Sequence, residues 1–207
     1  MPKVSPERLE ATRRRVLEGA RRAFAAYGYE GATVRRLEEA TGLSRGAIFH
    51  HFADKDALFL ALAQEDAEEV ATLVDDFGLV GAMHKLRDKD AGWLGVQLEV
   101  SRRVRTDPQF AALWQHHLRA ISRATQARLA RQRDAGVVRD DIPIETLASF
   151  LTLVYDGLVA QLATGMPVHH LDGVLDLAEQ AVREAPGPGT TAPMRDTPRN
   201  DARSPAS

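Results

Sequence analysis

Residues 32–59 read ATVRRLEEATGLSRGAIFHHFADKDALF. Thr33 is placed to cap a short helix over Val34–Thr41, and Gly42 supplies the tight turn that ends it. Ser44 caps a second helix to about His51, and Asp54 caps a third that begins near Lys55. Val34, Leu37 and Ala40 on the first helix can close one small core with Leu43, Ala47, Ile48, Phe52 and the earlier Phe24, and the small alanines let the helices approach. The spacing predicts a helix-turn-helix. With the apolar set inward, Ser44, Arg45, Gly46, Phe49, His50 and His51 are left to face outward. A second helix of this kind enters the major groove with its N-terminal residues at the base edges.

Each outward residue has a chemical use. Arg45 can bridge guanine O6 and N7, Gly46 lets a backbone come close, and Phe49 offers an apolar face to a thymine methyl. His50 and His51 can donate to phosphates or bases. Thr33, Arg35, Arg36 and Lys55 suit backbone phosphates. The charge agrees with this reading once it is divided. The 207 residues carry a net charge of −2. Residues 1–55 hold eleven Lys/Arg against seven Asp/Glu, a balance of +4, while 56–207 hold sixteen against twenty-two, a balance of −6. A basic head on an acidic body expects a polyanion at the head alone.

The rest of the chain also has helical periodicity. Leu9, Val16, Ala20, Ala23, Phe24 and Tyr27 share a face up to Gly28. The helix from Lys55 reaches about Val74, and a weakly patterned stretch, Gly78–Asp90, follows with helical pieces on both sides. Asp107-Pro108 starts a helix that runs to Gly136, Pro143 starts another that ends at Gly165, and the last spans about Leu171–Glu184. No segment alternates with period two long enough for a sheet. The expected fold is all-α, about nine helices, with a three-helix DNA-binding domain over 1–53, an effector-binding and dimerisation domain over 54–184, and a Pro-rich disordered tail over 185–207.

Composition excludes several classes. The sequence has no cysteine, which removes disulfides, thiolate metal sites and cysteine nucleophiles. It has no G-x-S-x-G, no phosphate-binding G-x-x-x-x-G-K-[ST] and no G-x-G-x-x-G, and none of the seven histidines has a Glu three residues before it, so no enzyme is expected. No apolar run approaches the ~18 residues of a bilayer span, and residues 1–17 have no apolar leader, so the expected location is the cytoplasm, without a membrane partner.

The stretches GYEGATVRRL (28–37) and SRGAIFHHFADK (44–55) resemble the TetR-type transcriptional regulators, with the departure that many members have tyrosine where Phe49 and His51 stand here. The resemblance implies a ligand-responsive repressor that binds a palindromic double-stranded operator as a homodimer. Residues 19–67, with VRTDP (104–108) and DIPIE (141–145), are similar to an actinobacterial branch of that family. That branch implies control of an aconitase gene and a citrate–magnesium effector, with no other cofactor required. On this basis Arg128 is expected to clamp a carboxylate and Glu179 to meet magnesium. Trp93, Gln97, Trp114, His117 and Tyr155 could line the same site, although tryptophans in such stripes also serve as core and His117 as an interhelical hydrogen bonder. Glu99 and Arg102 are either further lining or an exposed i,i+3 pair. The last two helices have apolar stripes too broad for one face. They predict a four-helix dimer contact through Phe150, Leu151, Val154, Leu158, Leu175 and Val182. A family sensor of a lipophilic compound and a plain helical interaction module are the alternatives; the module leaves the basic, capped helix-turn-helix unexplained.

Overall fold

Six helices begin where a serine, threonine or aspartate side chain takes up a free backbone N–H. In the computed structural model, which describes residues 5–165 and 167–183, the helices are α1 (Pro6–Gly31), α2 (Val34–Thr41), α3 (Arg45–His51), α4 (Lys55–Leu86), α5 (Ala91–Glu99), α6 (Ser101–Thr106), α7 (Pro108–Asp134), α8 (Ile144–Ala163) and α9 (Leu171–Val182). Ser5, Thr33, Ser44, Asp54, Asp90 and Asp107 cap α1, α2, α3, α4, α5 and α7 in turn. Among the described residues the one extended pairing is an isolated bridge between Val138 and Arg183, so the protein is all-α. The expected tail, 185–207, lies outside the described residues.

Gly42 takes the left-handed conformation (φ 63°) that closes α2 and turns the chain into α3. The C-terminal carbonyls of α2 are satisfied from α1: Arg15 donates to Thr41 O at 2.9 Å and Arg22 to Ala40 O at 2.8 Å. Cations at a helix C-terminus also offset its dipole. Part of the head's positive charge therefore holds the head together.

Leu37, Ile48 and Phe52 bury against Phe24, and this core continues through Leu58, Phe59 and Leu62 of α4 to Trp93, Val96, Val100 and Phe110. Packing thus runs across residue 53 without a gap. A second core fills the body, where Val74 and Met83 of α4 meet Leu129 of α7, Leu147, Leu151 and Leu158 of α8, and Leu175 and Val182 of α9. The stretch after Val74 is more ordered than its pattern suggests. Gly78 breaks α4 with non-helical angles (φ 79°, ψ 167°), and the helix resumes to Leu86 because Leu79, Val80, Met83 and Leu86 find partners in the body core.

By length and composition α8 could cross a membrane. It instead puts Leu147, Leu151 and Leu158 into the body core and carries Asp156 in its apolar run.

One contact in the head has no tolerance. A Cβ on Gly19 would lie 2.6 Å from Thr41 Cγ2 and 2.7 Å from Thr41 Cα, whereas one on Gly46 would meet nothing within 4 Å. Gly19→Ala is therefore expected to cost about 1–3 kcal/mol in urea unfolding. Gly46→Ala should leave stability equal or slightly raised, since alanine favours helix.

Candidate nucleic-acid interface and effector cavities

The exposed side of α3 is short and chemically simple. Ser44 accepts from Ala47 N at 3.4 Å and fixes the start of the helix. Arg45, Gly46 and His50 are exposed, and Arg45 makes no side-chain hydrogen bond or ion pair among the described residues. Its backbone N–H donates to Glu38 Oε1 at 2.7 Å, so a carboxylate from α2 occupies the first turn of α3. His51 is half-buried and meets the His50 ring edge-on at 5.4 Å between centroids.

Three of the expected contacts are placed differently. Phe49 is half-buried against the head core, because the helix turns its ring toward the packed side rather than outward. Lys55 is not a free phosphate ligand. Its Nζ donates to Tyr29 O at 3.0 Å and lies 4.4 Å from the Tyr29 ring centroid, where the turn after Gly28 delivers it. Arg36 donates to Gly31 O at 2.8 Å and stacks over Tyr27 at 4.1 Å, so it braces the turn between α1 and α2. Thr33, as the cap of α2, and Arg35, which pairs with Glu39 at 2.9 Å, remain exposed.

Tyr29 is the centre of a cluster that joins the head to the body. Its backbone N–H donates to Glu99 Oε2 at 2.8 Å, and its hydroxyl donates to Asp56. Arg103 donates to both Asp56 oxygens at 2.6 Å and to Tyr29 Oη at 2.8 Å. Hydrogen bonds from Arg103 hold the Asp56 carboxyl below the ordinary carboxylate range, and burial, followed by Asp56 itself, pushes the Tyr29 phenol up. This cluster was not among the expected sites. Its hydrogen-bonded pairs lie 27 to 74 positions apart, a separation that helical periodicity does not register. Glu99 is thus engaged by Tyr29; the Arg102 side chain of the expected pair lies outside the described ones.

Two cavities of the body, different in character, contain expected effector residues. The first, about 240 Å³, is lined by Asp66, Gln97, Trp114, Ile121, Tyr155 and Asp156, among others. Three expected effector residues, Gln97, Trp114 and Tyr155, come together here. Trp93 does not: it is buried in the head core, and its indole N–H donates to Asp66. The His117 side chain lies outside the described ones. Asp66 and Asp156 were not anticipated, though a single charge in the apolar run LTLVYDGLVA (151–160) was a readable signal.

The second cavity is only about 20 Å³, and both Arg128 and Glu179 line it, beside Gly78. Arg128 donates through Nη1 to Asp75 O, yet its Nε is buried without a hydrogen-bond partner. Glu179 accepts from Arg183 at 2.9 Å. An unsatisfied buried guanidinium nitrogen is costly, and an anionic oxygen is the acceptor that would satisfy it best. No group of three or more His, Asp or Glu able to hold a metal occurs among the described residues.

The outer faces of α8 and α9 correct the expected dimer contacts. Leu151, Leu158, Leu175 and Val182 are buried in the body's own core and Val154 is half-buried against it. The stripe left outside is Phe150, Leu153 (73% exposed), Val174 and Leu177 (66% exposed). Each helix has two apolar stripes: of the residues read as interface, Phe150 lies on the outer one and the others on the one that folds the monomer.

A capped three-helix head joined by one long helix to a helical body with internal cavities is the build of a one-component DNA-binding regulator. The family model described as "Bacterial regulatory proteins, tetR family" matches residues 16–62. The chain is 51% identical over 187 residues to the HTH-type transcriptional repressor Rv1474c of Mycobacterium tuberculosis, covering 89% of this chain and all of that protein. It is 54% identical over 175 residues to the HTH-type transcriptional repressor AcnR of Corynebacterium glutamicum, covering 84% and 93%. The fold matches that of Salmonella enterica GusR with a TM-score of 0.69 at 23% identity, over 87% of this chain and 98% of that one. The chain belongs to the TetR family and is a helix-turn-helix transcriptional repressor of the AcnR type, not an enzyme.

The Asp56–Arg103 pair gives a pH test with a definite sign. Asp56 has a depressed native pKa, so its stabilisation is complete above its unfolded value of about 3.9 and is lost as pH falls through the native value. Asp56→Asn should be less stable than the parent at neutral pH, with the difference shrinking below about pH 4 in denaturant titrations. Arg103→Met should cost about 1–2 kcal/mol at neutral pH, a figure already reduced for the pair's partial exposure.

Proposed function

We propose that the repressor binds a palindromic operator as a homodimer, with α3 of each copy in the major groove, and that citrate with Mg²⁺ releases it. The observation that carries the DNA reading is the exposed, capped start of α3, where Arg45 and Gly46 are exposed and the Arg45 side chain makes no hydrogen bond or ion pair among the described residues. Arg45 reads a guanine, Ser44 and His50 contact backbone or base, and Thr33 and Arg35 meet phosphate. Two recognition helices need a spacing of roughly 34–36 Å, and the exposed Phe150, Leu153, Val174 and Leu177 are the surface through which the two copies pair. Such a protein works where the DNA is, in the cytoplasm.

The unpartnered Arg128 Nε supports an anionic effector. Arg128 takes a citrate carboxylate, and Glu179 is the one protein carboxylate offered to the magnesium, directly or through water. At about 20 Å³ the cavity holds about one water, so entry has to spread α4, α7 and α9 apart. That expansion links ligand to DNA, because a bias of ~2–3 kcal/mol between two settings of the heads lowers operator affinity by tens to a hundred-fold. The high identity to AcnR repressors supports an aconitase gene as the target.

A mobility-shift titration on DNA from upstream of the aconitase gene in the genome that encodes this chain tests the reading. Saturable binding that weakens with salt is expected, and salt-independent or absent binding refutes it. Arg45→Ala should cost about 1–3 kcal/mol and relax preference at one base pair; an equal loss on every sequence reduces Arg45 to a phosphate contact. Citrate with Mg²⁺ at a hundred times its Kd should add about 2.7 kcal/mol of stability and release the DNA. Arg128→Ala should abolish both effects, and Glu179→Gln should remove their dependence on magnesium.

A further inference from the structure

Residues 33–52, which form α2, the turn and α3, contain two carboxylates, Glu38 and Glu39. Both stand on α2, in the part of the head that has to meet a polyanion. Glu39 is matched by Arg35 at 2.9 Å. Glu38 is not. Among the described residues its carboxylate accepts one hydrogen bond, from the backbone N–H of Arg45 at 2.7 Å, and makes no ion pair. An unmatched negative charge, half-buried, therefore stands beside the one residue of α3 best suited to read a base.

The charge is held in place. Glu38 lies one turn before Gly42, whose N–H donates to Glu38 O at 2.8 Å and closes α2. The chain then reverses, and the Glu38 side chain spans the turn to the Arg45 N–H, seven positions on. The side-chain cap of α3 is a different residue, Ser44, which accepts from Ala47 N. A glutamine oxygen in place of the carboxylate would accept from Arg45 N as well, so this hydrogen bond does not account for the charge. Like charges repel most where water is displaced between them, and the start of α3 is where protein and duplex close on one another.

We propose that Glu38 is a specificity-determining residue, whose carboxylate repels backbone phosphate from the start of α3. The inference rests on the reading that α3 enters the major groove. Inside the groove the base edges present the amine hydrogens of cytosine N4 and adenine N6, which a carboxylate attracts, while the phosphates stay on the rims. On a duplex whose bases do not match, the head lies on the backbone and the carboxylate meets phosphate instead. The penalty falls on the non-specific complex and widens the gap between the two, as a repulsive element against the wrong partner does. Arg45 supplies the attraction, and Glu38 restrains it where the sequence is wrong.

The test uses the full chain and two duplexes, one selected by the parent protein from a random-sequence pool and a shuffled copy of it. Glu38→Gln keeps an acceptor for Arg45 N and removes the charge. It is expected to bind the shuffled duplex about tenfold more tightly in about 50 mM salt and the selected one within about threefold of the parent. The ratio of the two affinities therefore falls, and the fall should shrink by about 200 mM salt as exposed charges are screened. Glu39→Gln makes the same change in net charge away from the start of α3 and should leave the ratio within about twofold of the parent's. Glu38→Ala, which also loses the hydrogen bond, should melt lower yet show the same fall. An unchanged ratio in Glu38→Gln, the mark of a purely structural role, overturns the proposal. So does an equal fall in Glu39→Gln, or a loss confined to the selected duplex, which would make Glu38 a base reader. If the parent selects no duplex, the major-groove reading fails and this inference with it.

Discussion

The bidentate pair between Arg103 and Asp56, closed by the Tyr29 hydroxyl, fixes the head of this repressor to its body. Asp56 stands in the first turn of α4, Arg103 comes from α6, and Tyr29 follows the Gly28 turn of α1. Glu99 adds the end of α5 through the Tyr29 backbone N–H. Four elements meet at one charged cluster beneath the aromatic core of Phe24, Phe59 and Trp93. Because the packing crosses from head to body here, reorientation of α3 requires α4, α5 and α6 to move with it.

Local chemistry was legible in the sequence. The caps at Thr33, Ser44, Asp54 and Asp107, and the turn at Gly42, are decided within a few residues, and each lies where its side chain satisfies a free N–H or its backbone takes a left-handed angle. Tertiary choices were not legible. Apolar periodicity on α8 and α9 marks two stripes but does not say which one folds the monomer, so Leu151 and Leu175 exchange places with Leu153 and Leu177. Trp93 and Trp114 occur in similar contexts, yet one is core and the other lines a cavity. Lys55 has the charge for a phosphate, but the returning turn of α1 sets a carbonyl and a ring on it first.

The body separates its electrostatics along a single helix pair. Among the described side chains near Trp114 the carboxylates outnumber their partners, and four residues further along the same helices the excess is a guanidinium nitrogen. The net charge of −2 averages over this arrangement as it does over the basic head. Even the head's surplus overstates its free charge, since Arg15, Arg22 and Arg36 are engaged by backbone carbonyls.

The break at Gly78 gives α4 a mechanical meaning. From Lys55 to Phe77 the unbroken part is a rod of about 33 Å at 1.5 Å per residue, with the head at one end and Arg128 packed against the break at the other. A turn of 5° at that hinge sweeps the far end by about 3 Å, and two heads turning in opposite senses separate by about 6 Å. That exceeds the 3.4 Å between neighbouring base pairs. On the proposed reading, the helix displacement that admits a ligand beside Arg128 would be geared up, along this arm, into a loss of register on the duplex.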